Sequence, residues 1–352
     1  MMQFSLFYFA DDGSAGKNRY RLLTEGARFA DTHGFTAVWT PERHFHAFGG
    51  QYPNAAVTGA AVAALTERVG VRAGSVVAPL HHPLRIAEEW SVVDNLSGGR
   101  VAVAFASGWN VTDFALRPEN YERRKDAVVE AVQTVRRLWR QEAVAFLDGL
   151  GGEVALRSFP PPLQPELPVW VTSAGSPETF ATAGRLGAGV LTHLLGQEPE
   201  DLARSITLYR AAFGAANPPS AGRGHVTLML HTQLGPDRDE VREQVRAPFG
   251  VYLRSSLGLL ARAAAGVSAE FDPARMAPRD VDFLVARAVE RYFDTGGLFG
   301  TVRDGVATVQ RLSALGVDEI ACLIDFGVAP DTVLAGLGYL DELRRECAAG
   351  GA

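Results

Sequence analysis

The stretch VWVTSAGSPETF, residues 169–180, contains a complete strand, a turn and the start of a helix. The apolar segment 169–172 predicts a short buried strand. Ser176 is a favourable N-cap and Pro177 a favourable first residue, so a helix is predicted directly after them. The small residues 173–175 leave the backbone open to close approach. The stretch therefore predicts a tight connection from strand to helix.

The same alternation of strand and helix continues outward in both directions. Strand-like segments begin near residues 4, 36, 69, 101, 169, 190, 226 and 317, and helical patterns cover 18–33, 55–66, 83–96, 121–139, 177–186, 199–213 and 330–347. Eight strands alternating with helices predict an α/β fold, the (β/α)8 TIM barrel. An open doubly wound sheet is the alternative. It needs a G-x-G-x-x-G turn after its first strand, and that loop reads ADDGSAGKN.

Two segments exceed what a barrel requires. Residues 140–167 contain two short apolar runs with a turn between them, which predict a hairpin inserted before the fifth strand. Residues 245–300 form a second insertion between the seventh and eighth strands, with helical patterns. An insertion on the strand-to-helix side of a barrel lies over the active site. We expect one domain over residues 1–352, carrying both insertions.

Composition argues against several classes of protein. The formal net charge of −6 disfavours a nucleic-acid binder. The two cysteines, Cys322 and Cys347, are too few for a disulfide framework or a cysteine-based zinc site. No apolar run reaches the ~18 residues of a membrane span, and the first residues lack the basic leader of a signal peptide. We therefore expect a cytoplasmic protein that binds neither nucleic acid nor membrane.

Polar residues follow the predicted strands, where barrels place their chemistry. The turn at 173–176 offers amide groups and the positive end of a helix dipole to an anion such as phosphate, but a capped turn without a ligand has the same sequence. After the second strand, Glu42, Arg43 and His44 concentrate titratable groups. They form either a catalytic base or donor, or a hydrogen-bonding network within the loop.

Other common catalytic patterns are missing or weak. His81 and His82 precede Pro83, which begins a helix, so we interpret them as shaping that turn. Their spacing matches no motif such as H-E-x-x-H, and we predict no metal site. A metal-dependent barrel hydrolase stays open as a minor alternative. The sequence has no G-x-S-x-G elbow, and Cys322 lies within a strand without a nearby base.

An ordered set of segments resembles the bacterial luciferase-like monooxygenases. The segments are ERHF at 42–45, PLHHPLRIAEEWSVVDNLSGGRV at 79–101, ASGWN at 106–110, TSAGSPET at 172–179 and GTVRDGVATVQRLSALGVDEIACLIDFG at 300–327. The resemblance covers nearly the whole chain in the right order. The subgroup it resembles most serves natural-product biosynthesis, the mupirocin-cluster type, through LFYFA at 6–10, ASGWN, LMLHT at 228–232 and RYFDTGGLFGT at 291–301.

The resemblance implies a barrel that binds FMN as FMNH2, which a separate flavin reductase supplies. Reaction with O2 gives a flavin peroxide that oxygenates a substrate. The implied catalytic residues are Arg43, His44 and His231, although His231 could equally be a buried histidine bonded to a neighbouring strand. The implied cofactor-binding residues are Gly74, Ser75, Ala106, Ser107, Asn110, Tyr121, Ser173, Ala174, Gly175, Ser176 and Thr179. The bond between Gly74 and Ser75 matches the place of a non-proline cis peptide in the family.

The subgroup also implies a substrate class and partners. The substrate is a secondary metabolite, or an acyl or amino-acyl group on a carrier protein of a polyketide or nonribosomal peptide synthetase. A homodimer is expected.

The chain departs from bacterial luciferase at two of these positions. Arg43 stands where luciferase has the first of two histidines, and Ser107 stands where it has an arginine. Light emission is therefore not implied, and a basic contact to the phosphate has to come from elsewhere. A deazaflavin-dependent oxidoreductase on the same barrel and a non-catalytic flavin-binding subunit are the alternatives.

Overall fold

The computed structural model of the chain describes residues 1–9, 18–47, 49–264 and 277–349. The strands are β1 Gln3–Phe7, β2 Ala37–Thr40, β3 Gly70–Val77, β4 Val101–Ala106, β5 Val144–Leu147, β6 Glu153–Leu156, β7 Val169–Ser173, β8 Gly189–His193, β9 Val226–Leu234, β10 Leu298–Gly300 and β11 Glu319–Leu323. The helices are α1 Arg21–Thr32, α2 Ala55–Leu65, α3 Pro83–Ser97, α4 Arg124–Trp139, α5 Pro177–Arg185, α6 Pro199–Ala216, α7 Arg238–Ala264, α8 Pro278–Arg291, α9 Val302–Ala314 and α10 Pro330–Ala349.

Eight parallel strands close into a barrel, which confirms the predicted (β/α)8 fold. The ring runs β1, β2, β3, β4, β7, β8, β9, β11 and returns to β1. Register is parallel at both closing pairs: Gln3 lies opposite Glu319, and Val190 opposite Val226. β2 and β11 are buried along their whole length, as expected of barrel strands covered by helices.

Local sequence signals fix the helix boundaries. The Ser176 hydroxyl accepts a hydrogen bond from the Thr179 amide at 3.4 Å, and Pro177 follows as the first helical residue of α5. Thr301 and Asp304 form a reciprocal capping box at the start of α9. α3 ends at Gly98, whose φ of 68° is the left-handed conformation that favours glycine.

The first insertion contains the predicted hairpin. β5 and β6 pair antiparallel, with Val144 opposite Leu156. They form a separate two-stranded sheet that precedes β7, the fifth strand of the barrel.

The second insertion differs from the prediction at its start and its end. The insertion was predicted to start at residue 245. That position lies inside α7, which begins at Arg238 soon after β9, so no break separates the barrel helix from the insertion. Near the end, the unpredicted strand β10 pairs with the last residues of β9, with Leu298 opposite Thr232. A three-residue strand has too few positions to show a periodicity in sequence. Part of the predicted insertion, residues 265–276, lies outside the described residues.

A network of charged and aromatic side chains fills the amino-terminal end of the barrel. We call it the lower network, and its members are Ser5, Trp39, Arg72, Trp170, His225 and Glu319. The Glu319 carboxylate accepts from Arg72 Nη1 at 2.8 Å and from His225 Nε2 at 3.0 Å. The Arg72 guanidinium stacks on the ring of Trp170 at 4.8 Å.

Hydrogen bonding decides the charge state of the lower network. Burial alone would raise the pKa of Glu319, but the Arg72 charge and the His225 hydrogen bond hold that pKa well below its ordinary value. The amino-terminal end of a TIM barrel serves stability rather than catalysis. Within the described ranges, no helix is both long and apolar enough to cross a membrane.

Candidate active site at the carboxyl ends of the strands

Glu42, His44 and His81 form a cluster at the carboxyl ends of β2 and β3, which we call the Glu42 cluster. Glu42 Oε1 accepts from His44 Nε2 at 2.8 Å and from His81 Nε2 at 2.5 Å. Glu42 Oε2 accepts from the Val77 amide at 2.7 Å. Burial alone would raise the pKa of Glu42, but the hydrogen bonds from both histidines hold it below its ordinary value. Glu42 is therefore a carboxylate, and both imidazoles donate to it.

His81 was interpreted from sequence as a residue that shapes a turn, and the structure gives it a further contact. It follows the short 3₁₀ turn Ala78–Leu80 at the end of β3, and that turn aims its ring at Glu42. Burial lowers the pKa of His81, but the Glu42 hydrogen bond outweighs burial, and the net shift of this pKa is upward. The position of His81 after the end of a strand could have predicted this contact, because the ends of adjacent strands lie close together in a barrel.

Arg43 points to a different partner, Asp113 in the loop after β4. Arg43 Nη1 and Asp113 Oδ2 are 2.7 Å apart, and their side chains are 2% and 9% exposed. Asn110 Nδ2 donates to the other oxygen of Asp113 at 2.5 Å. The Arg43 guanidinium lies 4.9 Å from the centre of the Trp109 ring. Asp113 was missed from sequence, although it lies three residues after Asn110 in a loop that was recognised.

The predicted anion-binding loop follows β7 with the expected cap. The Gly175 amide donates to the Ser173 hydroxyl at 3.3 Å. Gly175 has a φ of 103°, and a Cβ there would lie 3.1 Å from Gln197 Oε1. That oxygen is buried and has no hydrogen-bond partner among the described residues. The loop therefore lies beside an unpaired acceptor, which could take a hydrogen bond from a donor group of a ligand but not from a phosphate oxygen.

Other predicted cofactor residues gather on the neighbouring strand ends. The Gly74–Ser75 peptide bond is cis, as the resemblance implied. The Ser75 hydroxyl lies 2.5 Å from that of Thr172 on β7. A Cβ on Gly74 would lie 2.6 Å from the Phe7 ring, so only glycine fits there. Ala106 lies opposite Val77 in the pairing of β3 with β4.

The remaining predicted cofactor residues lie on the loops and helices that follow β4 and β7. Ser107 is half-buried directly after β4, and Ala174 and Thr179 belong to the loop and helix that follow β7. Tyr121 packs edge-on against Phe114 at 5.0 Å and under the Arg124 guanidinium at 4.5 Å. These roles stay predictions.

His231 on β9 lies among aromatic rings rather than beside the Glu42 cluster. The rings of Tyr252, Phe249 and Phe326 are 4.5, 4.7 and 5.5 Å from it. Its Nε2 atom is buried and has no hydrogen-bond partner within the described ranges. Burial lowers the pKa of His231 to about 3, and burial lowers that of His193 on β8 to about 4. Both rings are therefore neutral near pH 7.

Asp325, another acid missed from sequence, follows β11. It accepts from the Phe9 amide at 2.5 Å and from the Tyr52 hydroxyl at 3.3 Å. Burial raises the pKa of Asp325 well above its ordinary value. The carboxyl end of the barrel thus carries an acid with a raised pKa, an acid with a lowered pKa and neutral histidines within one rim. Such a separation of pKa values is typical of active sites.

The donor types at this rim fit a flavin phosphate and ring. Hydroxyl groups of Ser173 and Ser176 stand at the start of α5, where the first amide groups of a helix lack intrahelical acceptors. At Gly74 and Gly175 a Cβ would lie too close to a neighbouring side chain, so the tight packing of this rim favours glycine at both positions. The Glu42 cluster also has the residue types that hold metals, since its three donor atoms lie within 4.8 Å of one another.

Comparisons with known proteins bear on the family and the fold. The family model of luciferase-like monooxygenases matches residues 2–318. The oxygenase component of the flavin-dependent trigonelline monooxygenase of Acinetobacter baylyi is 24% identical over 348 residues, which cover 93% of this chain and 90% of that protein. The crystal structure of the monooxygenase RslO1 from Streptomyces bottropensis superposes with a TM-score of 0.78 at 25% identity, over 97% of this chain and 98% of that one.

Curated relatives that use F420 match a shorter region of the sequence. An F420-dependent secondary alcohol dehydrogenase of 20% identity nevertheless has the same fold, with a TM-score of 0.69 over 97% of this chain and 98% of that one. The F420-dependent glucose-6-phosphate dehydrogenase of Amycolatopsis mediterranei is 31% identical over 179 residues, or 49% of this chain and 53% of that protein. Alignment with uncharacterized mycobacterial relatives spans 65% of their length. Flavin-dependent and F420-dependent enzymes both occur among the relatives. The family model itself extends over most of the chain. The chain belongs to the luciferase-like monooxygenase family.

Proposed function

We propose that this protein is the oxygenase component of a two-component monooxygenase that uses FMNH2 and O2. One observation carries the proposal: among the curated sequence relatives, a flavin-dependent oxygenase component aligns over 93% of this chain, whereas the F420-dependent glucose-6-phosphate dehydrogenase aligns over 49%. The chain has no G-x-G-x-x-G turn after β1 with which to bind a nicotinamide donor. A separate flavin reductase is therefore the proposed electron source.

The loop after β7 would hold the FMN phosphate. The hydroxyls of Ser173 and Ser176, the side chain of Thr179 and the amide groups at the start of α5 are the proposed donors. Gly74, Ser75, Ala106, Ser107 and Asn110 would lie along the flavin ring, and Tyr121 beside its side chain. The bound flavin would supply the electrons that activate O2.

The Glu42 cluster would control a proton at His44. Because Nε2 of His44 donates to the Glu42 carboxylate, Nδ1 is the ring nitrogen that can exchange a proton with a bound molecule. Arg43 is anchored by Asp113 and would place a fixed positive charge beside the reacting oxygen. The insertion that includes α7 and α8 would cover the site and exclude water.

We extend the proposal to substrate and assembly. The substrate would be a secondary metabolite, or an acyl or amino-acyl group on a carrier protein of a polyketide or nonribosomal peptide synthetase. The enzyme would act as a homodimer, which light scattering during gel filtration measures directly. Both points follow the resemblance of ASGWN at 106–110 and LMLHT at 228–232 to natural-product enzymes.

The test is a pair of titrations of the purified protein under anaerobic conditions, one with FMNH2 and one with reduced F420, followed by admission of O2. We expect binding of FMNH2 and O2 consumption that depends on the bound flavin. Selective binding of reduced F420, with no change on adding O2, would establish the deazaflavin alternative. If the protein binds FMNH2 but the bound flavin reacts with O2 at the same rate as free FMNH2, the non-catalytic subunit would be supported.

A further inference from the structure

We propose that the Glu42 cluster binds one divalent transition-metal ion of the zinc type. Its donors are a carboxylate oxygen and two imidazole nitrogens, which lie within 4.8 Å of one another. Zn²⁺ takes nitrogen and oxygen ligands of these kinds. Sequence spacing did not predict the site, because His44 and His81 lie on loops after different strands.

The carboxylate is already positioned as a metal ligand. The Val77 amide holds Glu42 Oε2 at 2.7 Å, which fixes the plane of the carboxylate and leaves Oε1 toward the histidines. Outer hydrogen bonds of this kind orient ligands in metal sites. The side chain of Glu42 is 2% exposed, so bulk water does not compete for Oε1.

A small displacement of the histidines, with loss of the Nε2 proton that each now donates to Glu42, would admit the ion. Their Nε2 atoms now lie 2.8 and 2.5 Å from Oε1, which are hydrogen-bond distances. Ligands about 2.0–2.1 Å from a tetrahedral Zn²⁺ are about 3.3 Å from each other, so each ring has to withdraw by less than about 1 Å. The His81 side chain is 23% exposed and has room to do so.

Space for a fourth ligand lies beside the cluster. A cavity of about 10 Å³ is lined by Glu42, His81, Asn54 and Glu89, among others. That is about the room of one water molecule. The negative charge of Glu89 in the cavity wall favours a cation near His81, whereas the positive charge of Arg117 opposes it. The Arg43 charge is compensated by Asp113.

A bound ion would hold His44 by the nitrogen that now donates to Glu42. The metal would therefore act as an inhibitor of any reaction that needs His44 to exchange protons. Metal binding itself does not rest on the proposed oxygenase function, because the ligand atoms belong to the protein alone.

The test uses the untagged, flavin-free protein and Zn²⁺ as the probe, titrated against a chromophoric chelator. We compare wild type, His81→Asn and the matched control His82→Asn, in which the neighbouring histidine outside the cluster is changed. We expect one Zn²⁺ per chain in wild type and control, and binding at least about 100-fold weaker in His81→Asn. Circular dichroism verifies that each variant is folded.

A second measurement keeps the outcome decisive if a variant unfolds. Co²⁺ added to the wild type should give the intense visible bands of a four- or five-coordinate site with imidazole ligands. The proposal is overturned by absence of stoichiometric Zn²⁺ binding, by equal affinity in His81→Asn, or by equal loss in both variants. Failure of the FMNH2 titration would leave these results unaffected, so the two proposals fail separately.

Discussion

The two ends of the barrel both bury acids and histidines, but they satisfy them to different degrees. At the amino end, Glu319 is surrounded by donors and its histidine partner, His225, is hydrogen bonded to it. The Trp170 Nε1 atom of the lower network has no hydrogen-bond partner among the described residues, but the acid and the histidine of that network are both satisfied. At the carboxyl end, His231 Nε2 and Gln197 Oε1 are buried without a partner among the same residues. Unsatisfied buried polar atoms cost stability and persist where a ligand needs them. We therefore expect the lower network to contribute mainly to stability, and the carboxyl rim to carry the proposed binding site.

The largest effect should come from breaking the lower network. Replacing Glu319 by glutamine leaves the Arg72 guanidinium buried without its counter-ion, and loss of one partner from a buried ion pair costs about 3–5 kcal/mol. Urea denaturation measures the free energy of unfolding. The control is Glu130→Gln, which removes an exposed pair with Arg123 and should cost no more than about 1 kcal/mol. Equal losses in both variants would contradict the assigned role of the lower network.

Replacing His44 by asparagine at the carboxyl end should reduce turnover strongly and stability only slightly. We expect turnover to fall by about 100-fold or more, since general acid–base groups contribute on that scale. Stability should change far less than in Glu319→Gln. Oxygen consumption with FMNH2 measures the first quantity, and His33→Asn at the end of α1 is the control. Unchanged turnover would favour the non-catalytic flavin-binding subunit.

The two ends should also differ in the pH at which they lose stability. The pKa of His231 is about 3 in the folded chain, below the ordinary value of 6.5, so the unfolded chain binds the extra proton first. Stability from His231 is complete above pH 6.5 and is lost at about 1.4 kcal/mol per pH unit as pH falls toward 3. The pKa of Glu319 is lowered from 4.5, so its contribution is lost only below that pH.

Denaturation at pH 6.5, 5.5 and 5.0 separates these contributions. In that range His231→Asn should reduce the slope by the contribution of one histidine and leave that of His193, whose pKa is also lowered, to about 4. Glu319→Gln should shift the whole curve without changing its slope. An unchanged slope in His231→Asn would mean that the ring is protonated or hydrogen bonded in the folded protein.

The smallest effect is expected at the loop after β7. Gly175→Ala places a methyl group 3.1 Å from Gln197 Oε1 at a φ of 103°, which should displace the loop and weaken FMN binding by about 10-fold. Gly214→Ala in α6 is the matched control, because a Cβ there meets nothing within 4 Å. Fluorescence quenching of FMN measures both affinities. Equal affinities would remove this loop from the proposed phosphate site.

The barrel was predictable because each strand and helix carries its own local signal. Ser176 and Pro177 mark the start of α5 within a few residues, and buried strands such as β2 show as apolar runs. β10 was not predicted, because its pairing with β9 depends on how the chain returns to the barrel after α7 and α8.

The site was predictable only in part, since its contacts join different loops. The Glu42–Arg43–His44 loop and the loop after β7 were found from their composition. The pairing of His81 with Glu42, and of Asp113 with Arg43, depends on how adjacent strand ends align in the closed barrel. The sequence around each residue does not show which strand ends will lie side by side. A fully buried Asp325 gives no sequence signal either, because its raised pKa arises from packing.

The pairing of β10 with β9 has a consequence for protein engineering. The Gly235 amide donates to the Gly300 carbonyl at 3.0 Å, so the chain leaves the barrel and returns to it at neighbouring backbone positions. The segment between these glycines can therefore be exchanged for one of another length without altering the distance its ends must span. Chimeras joined at Gly235 and Gly300 would carry α7 and α8 of one relative on the barrel of another, and would show whether these helices govern the choice of substrate.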